Sequence, residues 1–158
     1  MPSTQLESTP FPIGISVAVQ EEPLELAPLV RFVERPEAGA VATFSGNVRV
    51  QNRGRRVEYL EYDAYRPMAE KQLREIAEEA VRRWPGRIAI RHRVGRLEIG
   101  EPSVLVAVAT AHRAEAFAAC RFAIDTLKEQ VPIWKKEVWE GGEVWIEGDG
   151  EAGVLRDP

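Results

Sequence analysis

The segment 103–111 (S-V-L-V-A-V-A-T-A) constrains the fold of this chain more than any other. A strand with one face in water alternates apolar and polar residues, whereas this segment is apolar on both faces. We therefore expect it to lie in the centre of a sheet. Its uninterrupted apolar run, residues 104–109, is far shorter than the roughly 18 residues that a membrane-spanning helix needs. A soluble protein is expected.

Helices and strands alternate along the rest of the chain. Pro67 stands at a first helical turn and Pro85-Gly86 ends that helix, while Gly141-Gly142 is the predicted turn of a closing hairpin. Segments 39–50 and 57–65 are expected to pair as a hairpin around the loop 51–56. Helices are predicted over 24–33, 67–84 and 112–130, and strands over 13–19, 39–50, 57–65, 87–99, 103–111 and, as the closing hairpin, 135–146. This order predicts an α+β protein with mostly antiparallel sheet and two long helices.

The length of 158 residues suits one domain, which we predict to span residues 13–147. Residues 1–12 are rich in Pro, Ser and Thr and have neither the basic start nor the apolar stretch of a signal peptide, so a disordered lead-in is predicted. Residues 148–158 are predicted to be a flexible acidic tail. The single cysteine, Cys120, excludes an internal disulfide, favours a cytoplasmic location and is most simply a core residue.

The composition argues against several classes of function. The 21 basic and 25 acidic residues give a net charge of −4, which disfavours a protein that coats nucleic acid or an anionic membrane. The sequence has no Gly-rich phosphate loop of the Walker or dinucleotide type and no nucleophile elbow. Its two histidines and one cysteine are not spaced like zinc ligands. We expect neither a metal nor a cofactor.

Candidate chemistry is concentrated in residues 125–137, D-T-L-K-E-Q-V-P-I-W-K-K-E. Lys128, Lys135 and Lys136 flank the apolar step Pro132-Ile133-Trp134. A lysine held against apolar groups has a lowered pKa and is able to exchange protons, attack a carbonyl or bind an anion strongly. The residues alone leave these three roles open. Because Lys135 and Lys136 alternate on a strand, only one of them is expected to face a given pocket.

Helix 112–130 adds further cations. Counting about 100° per residue, with Phe117 at the centre of the apolar stripe, places Arg113, Arg121 and Lys128 on the inward face. The three cations would then line a buried anion site. The alternative is that these long side chains reach solvent from the edge of the stripe.

Two other basic segments are candidate anion sites. His112-Arg113 directly follows a buried strand, so the first-turn N–H groups and the guanidinium are placed to share an anion; the alternative is a histidine that caps or packs the helix. Arg49 follows Gly46-Asn47 and precedes a loop with three more arginines, which either is solvated or closes over an anionic ligand. His92-Arg93 repeats the dipeptide within a strand, where a structural role is expected.

Five blocks of sequence carry a family resemblance. They are G-A-V-A-T-F-S-G-N-V-R (39–49), L-E-Y-D-A-Y-R-P-M-A-E (60–70), H-R-V-G-R-L-E-I-G-E (92–101), A-H-R-A-E-A-F (111–117) and D-T-L-K-E-Q-V-P-I-W-K-K-E (125–137). In order and without large gaps, over about residues 13–146, they resemble the large, catalytic subunit of molybdopterin synthase.

The resemblance implies an α/β hammerhead-type fold and an enzyme of molybdenum cofactor biosynthesis. Such an enzyme puts two sulfurs into cyclic pyranopterin monophosphate to form molybdopterin. The sulfur arrives as a thiocarboxylate on the C-terminal Gly-Gly tail of a small ubiquitin-like subunit, within a heterotetramer built on a homodimer of large subunits. The alternative is a non-catalytic module that binds a phosphorylated ligand or a protein C-terminal tail.

The resemblance also implies which residues form the site. Lys128 and Lys135 would be the catalytic lysines. The substrate-binding residues would be Asn47, Val48, Arg49, His112, Arg113, Lys136 and Glu137. This sequence departs from some relatives just after the closing strand, where they carry a basic residue that reaches the neighbouring subunit's site. Here residues 147–151 are acidic and Arg156 is the next cation.

Overall fold

Strand β7 (Pro102–Thr110) lies inside the first of two sheets, as its apolar sequence predicts. The computed structural model describes residues 11–147 and 155–156. β7 pairs antiparallel with β5 (Gly86–Arg93) on one side and with β2 (Ala40–Asn47) on the other. Strand β1 (Gly14–Gln20) adds to β5 and completes the order β1-β5-β7-β2. Each residue from Val104 to Ala109 is at most 2% exposed.

Helices cover both faces of this sheet, which explains why β7 needs no polar face. Val104, Val106 and Val108 pack into the main core with α2 (Arg66–Arg83) and α3 (Arg113–Gln130). The alternate residues Leu105, Ala107 and Ala109 pack into a second cluster with α1 (Leu26–Val33). The period of two along a strand thus divides its side chains between two cores.

A second sheet stands beside the first. It has the order β10-β9-β8-β4-β3, and β6 also pairs with β4. Its strands are β3 (Gln51–Asn52), β4 (Arg55–Ala64), β6 (Gly95–Glu98), β8 (Ile133–Trp139), β9 (Gly142–Glu147) and β10 (Leu155–Arg156). A small apolar cluster joins Val48, just beyond the end of β2, to Val57, Leu60 and Leu97 of this sheet. The end of β2 therefore meets the second sheet, and this junction positions the candidate site.

The fold class predicted from the sequence is confirmed. The three helices begin and end within two residues of their predicted bounds. Among the described residues, β1 with β5 is the only parallel pair of strands, and every other pairing is antiparallel. No helix in the described part of the chain is long and apolar enough to cross a membrane.

Three predicted strand pairings or bounds are wrong. Segments 39–50 and 57–65 do not form a hairpin along their lengths, since β2 pairs with β7 and β4 pairs with β8; at their adjoining ends the Val57 N–H donates to the Val50 carbonyl at 2.8 Å. The local hairpin is instead β3–β4, with a two-residue turn at Arg53 (φ 52°) and Gly54 (φ 76°). Segment 87–99 is broken at Gly95 (φ 92°), after which β6 joins the second sheet. The last turn lies one residue earlier than predicted, because Trp139 pairs with Gly142 and Gly141 has the positive φ of 95°.

The predicted ends of the chain lie largely outside the described residues. The expected lead-in, residues 1–12, is described only at residues 11 and 12. Of the expected acidic tail, residues 148–158, only Leu155–Arg156 is described, and it pairs with β9 as a short antiparallel strand. The domain bounds stay predictions.

Two leucines test how much the main core stabilises the fold. Leu73 on α2 is completely buried, whereas Leu26 at the start of α1 is 37% exposed. We expect Leu73→Ala to lower the free energy of unfolding by about 2–5 kcal/mol, because it leaves a cavity where the surrounding side chains cannot fully collapse. The matched variant Leu26→Ala should cost less than about 1 kcal/mol. Urea unfolding measures both, and equal losses would contradict this account of the core.

Candidate functional site

A cleft opens where the end of β2, the end of α3 and the second sheet meet. Its volume is about 160 Å³. It is lined by Gly46, Asn47, Val48, Arg49, Asn52, Val57, Leu60, Tyr62, Ser103, Lys128, Lys135 and Glu137. A smaller and more apolar cavity of about 20 Å³ adjoins it and is lined by Tyr62, His92, Leu127, Lys128, Val131, Ile133 and Lys135. Tyr62, Lys128 and Lys135 line both spaces and therefore stand at their junction.

The pairing of β4 with β8 decides which lysine of the Lys135-Lys136 pair faces the cleft. Lys135 lies opposite Tyr62, and Glu137 lies opposite Leu60, all on the inner face. Lys136 lies on the outer face, because side chains alternate along a strand. The sequence predicted that only one of the two would face the pocket, and the inward one is Lys135.

Lys136 forms ion pairs on the outer face of the second sheet. Its Nζ lies 2.9 Å from Glu61 Oε2 and 3.6 Å from Glu143 Oε2, over the ring of Trp145. Hydrogen bonding to Glu61, with the negative charge of both carboxylates, raises the pKa of Lys136 above its usual value. The side chain does not line the cleft, so the structure gives no support to the predicted substrate-binding role of Lys136.

Of the three cations predicted on the inward face of α3, only Lys128 lines the cleft. Phe117, taken as the centre of the apolar stripe, is 67% exposed, and Arg121 is exposed beside Asp125 at 3.4 Å. Arg113 is exposed as well. The predicted three-cation stripe is therefore wrong. The helix packs through small side chains, which include Ala116, Ala119, Cys120 and Ala123, because these allow close approach to the sheet.

The segment Asn47-Val48-Arg49 reaches the cleft through an irregularity in the β2–β7 ladder. Gly46 pairs with Val104 but Asn47 pairs with Pro102, so Ser103 is an extra residue on β7. This is a β-bulge, a device that bends a strand and re-aims its side chains. Val48 is buried against the second sheet, while Asn47 and Arg49 line the cleft.

His112 and Arg113 are exposed and lie at the opposite end of α3 from Lys128. A helix rises about 1.5 Å per residue, so the 16 positions that separate His112 from Lys128 span about 24 Å. Neither residue lines the cleft of its own chain. The His112 side chain makes no capping hydrogen bond, so it does not cap the helix. The structure thus separates this predicted pair from the other site residues within one chain.

Glu137 is a carboxylate buried at the cleft wall, with 1% of its surface exposed. Asn52 Nδ2 donates to Glu137 Oε2 at 2.7 Å, and Arg55 Nη2 lies 4.0 Å from Oε1 while its guanidinium stacks on Trp139. Oε1 accepts no hydrogen bond from the described residues. The β3–β4 hairpin is thereby held against β8. The sequence analysis predicted no role for Asn52. Its segment, rich in Gln, Asn, Gly and Arg, has the composition of a loop, which does not show that Asn52 contacts Glu137.

Besides Asn52, the sequence analysis missed Tyr62, His92 and Ser103 as residues of the site. Ser103 Oγ donates to the Gly46 carbonyl at 3.1 Å. Burial raises the pKa of the Tyr62 phenol; the hydrogen bond with Ser103 opposes this, and the charge of Glu137 adds to it. The signal available in the sequence was alternation, which puts Tyr62 on the same face of its strand as Leu60.

His92 is a buried neutral histidine rather than a ligand for an anion. It is 2% exposed, its Nδ1 lies 2.8 Å from the Arg93 carbonyl, and the Tyr62 ring meets it edge to face at 5.3 Å. Burial lowers its pKa from 6.5 to about 4, the backbone hydrogen bond opposes this, and the charge of Lys128 lowers it further. A structural role was expected for this histidine, and its position on the wall of the smaller cavity was not.

These side chains define a polar cleft that suits a small anion. Two lysines and one arginine supply positive charge, two asparagines supply amide donors, and the cleft adjoins a smaller cavity that has both polar and apolar walls. No group of three or more His, Cys, Asp or Glu side chains within the described ranges is arranged to hold a metal ion.

Known proteins are similar to this chain in sequence and in structure. A family model described as MoaE protein matches residues 19–130. The molybdopterin synthase catalytic subunit of Halalkalibacterium halodurans is 50% identical over 130 residues, which are 82% of this chain and 83% of that protein. The crystal structure of molybdopterin synthase from Staphylococcus aureus matches with a TM-score of 0.79 at 45% identity, over 81% of this chain and 94% of that chain.

A more distant solved structure shows the same fold. It is the complex of subunits 1 and 2 of the molybdopterin-converting factor from Helicobacter pylori 26695. The match has a TM-score of 0.63 at 18% identity and covers 87% of this chain and 91% of that chain.

The buried histidine predicts an acid-sensitive fold. The folded-state pKa of His92, about 4, lies below its ordinary value of 6.5, so the unfolded chain takes up the proton first as the pH falls. The free energy of unfolding should therefore fall between about pH 6.5 and pH 4, by about 3 kcal/mol from this residue. Denaturant unfolding of His92→Gln at several pH values should show a shallower fall than the parent chain. Equal pH dependence of the two proteins would contradict the assignment.

Proposed function

The chain belongs to the MoaE protein family, and we propose that the cleft between its two sheets is where it transfers sulfur as a molybdopterin synthase catalytic subunit. The observation that carries the proposal is the meeting of Lys128, Lys135 and Asn47-Val48-Arg49 in one cleft, although these residues come from different parts of the fold. The reaction converts cyclic pyranopterin monophosphate into molybdopterin, with sulfur from a thiocarboxylated small subunit.

The two lysines suit the chemistry of this transfer. When a thiocarboxylate sulfur attacks the substrate, negative charge builds up and protons must be moved. Lys128 at the junction of the two cavities is assigned the stabilisation of that charge and the proton transfer. Lys135, opposite Tyr62 on β8, supports it and positions the carboxyl group of the incoming tail. Asn47 and Arg49 are assigned to the phosphate and the pterin.

We place the tail of the sulfur-carrying partner where the smaller cavity opens into the cleft. Leu127, Val131 and Ile133 give it apolar walls, and both lysines stand where it opens into the cleft. A Gly-Gly terminus has no side chains and is therefore able to enter a narrow space. A small ubiquitin-like subunit with such a tail is the partner we propose, and the cytoplasmic location stays a prediction from the sequence.

The separation of His112-Arg113 from the cleft supports a homodimer of large subunits. Within one chain these exposed residues lie about 24 Å from Lys128 along α3. They are able to bind substrate with the lysines only if a second copy brings them to the cleft. We assign them to the site of the partner copy, within a heterotetramer of two large and two small subunits.

The lysine assignment is tested by reconstitution with thiocarboxylated small subunit and cyclic pyranopterin monophosphate. Lys128→Ala should slow molybdopterin formation about 100-fold or more, since a positioned proton-transfer group contributes at least that much. Lys71→Ala is the matched control, because Lys71 is exposed on α2 and does not line the cleft. A folded Lys128→Ala protein with undiminished activity would remove Lys128 from the mechanism. Tight binding of both ligands without turnover by the parent chain would favour a binding module instead.

The shared site is tested by mixing two inactive variants. Lys128→Ala and Arg113→Ala damage the same site from different chains, so a mixed dimer contains one intact site and one doubly damaged site. Co-expression in equal amounts should restore about one quarter of the parent activity. Recovery to no more than the mean of the separate variants would show that both residues act within one chain or that Arg113 does not serve the site.

A further inference from the structure

The two carboxylate oxygens of Glu137 differ in their partners. Asn52 Nδ2 donates to Oε2 at 2.7 Å. Oε1 accepts no hydrogen bond from the described residues, and Arg55 Nη2 lies 4.0 Å from it, beyond hydrogen-bonding distance. Glu137 is 1% exposed and lines the cleft. A buried acceptor of this kind costs free energy until a donor reaches it, so Oε1 is placed to accept from a ligand in the cleft.

The β3–β4 hairpin determines which oxygen of Glu137 has a protein donor. Asn52 lies directly opposite Arg55 in this hairpin, so their side chains share one face, and both reach Glu137 on β8. The guanidinium of Arg55 stacks on the Trp139 ring at 3.9 Å. Arg55 therefore supplies opposite charge without donating to Oε1. The hydrogen bond from Asn52 to Oε2 alone sets how the carboxylate is turned, because the last torsion of a glutamate is otherwise loosely restricted.

The chemistry of the proposed substrate supplies a donor for Oε1. A pterin is a 2-amino-4-oxo ring system, and its 2-amino group and N3–H form one edge of hydrogen-bond donors. Carboxylates bind such an edge as they bind the parallel N–H groups of a guanidinium. Arg49, Lys128 and Lys135 are donors themselves and suit the phosphate instead. Glu137 is the one carboxylate among the described residues that line the cleft.

We propose that Asn52 is a positioning residue for substrate specificity, which holds Oε2 of Glu137 so that Oε1 accepts from the donor edge of the pterin. The proposal rests on the proposed function for the identity of the substrate. Glu137 contacts the ring, and Asn52 acts through Glu137 without touching the reacting atoms. The arrangement selects a ring with N–H donors at this edge, because an oxo group there would set one acceptor against another.

An exchange of the two side-chain types tests the proposal. In Glu137→Gln, the Asn52 amide binds the one remaining side-chain oxygen, and the new NH₂ group then meets the donor edge of the ring. In Asn52→Asp, two carboxylates are brought together and repel each other. In the double variant, the amide introduced at position 137 donates to the carboxylate introduced at position 52, and an acceptor oxygen again faces the cleft. Calorimetric titration with cyclic pyranopterin monophosphate, without small subunit, gives the dissociation constants.

We expect each single variant to bind about tenfold more weakly than the parent, and the double variant to bind within about threefold of it. The loss in Glu137→Gln is the sharpest result, because removing a negative charge should by electrostatics alone strengthen the binding of an anionic substrate. Single-turnover rates at saturating substrate, with thiocarboxylated small subunit, should stay within about threefold of the parent rate. Gln51→Ala is the matched control, because Gln51 is exposed on the same hairpin and does not line the cleft.

Two results would overturn the proposal. One is a Glu137→Gln protein, shown to be folded by thermal unfolding, that binds the substrate as tightly as the parent or more tightly. The other is a double variant that binds no better than the single variants. If Asn52→Asp does not fold, Asn52→Ala takes its place, with an expected loss of about fivefold, and unchanged binding there contradicts the proposal. A parent chain that binds the substrate without turnover would contradict the proposed function alone, whereas a parent chain that does not bind it would contradict both.

Discussion

Strand β7 must be covered on both faces, and most of the architecture meets that requirement. Its side chains from Val104 to Ala109 are apolar without alternation, so an exposed face would leave several of them in water. Helix α1 covers one face, while α2 and α3 cover the other. Because α3 follows β7 directly and packs back along the sheet, its C-terminal turn reaches the second sheet, and this placement brings Lys128 to the cleft.

The candidate site concentrates positive charge within a chain that is acidic as a whole. The protein has a net charge of −4, yet Arg49, Lys128 and Lys135 line one cleft together with the buried carboxylate of Glu137. A local concentration of cations in a partly enclosed space binds a small anion without making the whole surface basic. The fold supplies the enclosure through two irregular features, the bulge at Ser103 and the β3–β4 hairpin. Asn52 ties that hairpin to Glu137.

The sequence predicted what depends on local periodicity and missed what depends on distant pairing. The helices, the central strand and the expectation that only one of Lys135 and Lys136 faces the cleft follow from periods of 3.6 and 2, which each segment contains by itself. The choice of Lys135 came from the family resemblance. The hairpin predicted for 39–50 and 57–65 was wrong because β2 pairs with β7, which lies about 60 positions further along the chain, and not with the next strand. The inward face of α3 was misjudged since Phe117, the largest apolar side chain near the helix start, lies outside the core.

The most direct test is a crystal structure of the protein with cyclic pyranopterin monophosphate. The account predicts that the ligand phosphate lies against Asn47 and Arg49, with the pterin facing Lys128 and Lys135 at the junction of the two cavities. A ligand ordered at a different surface, with this cleft empty and Lys128 remote from it, would contradict the account.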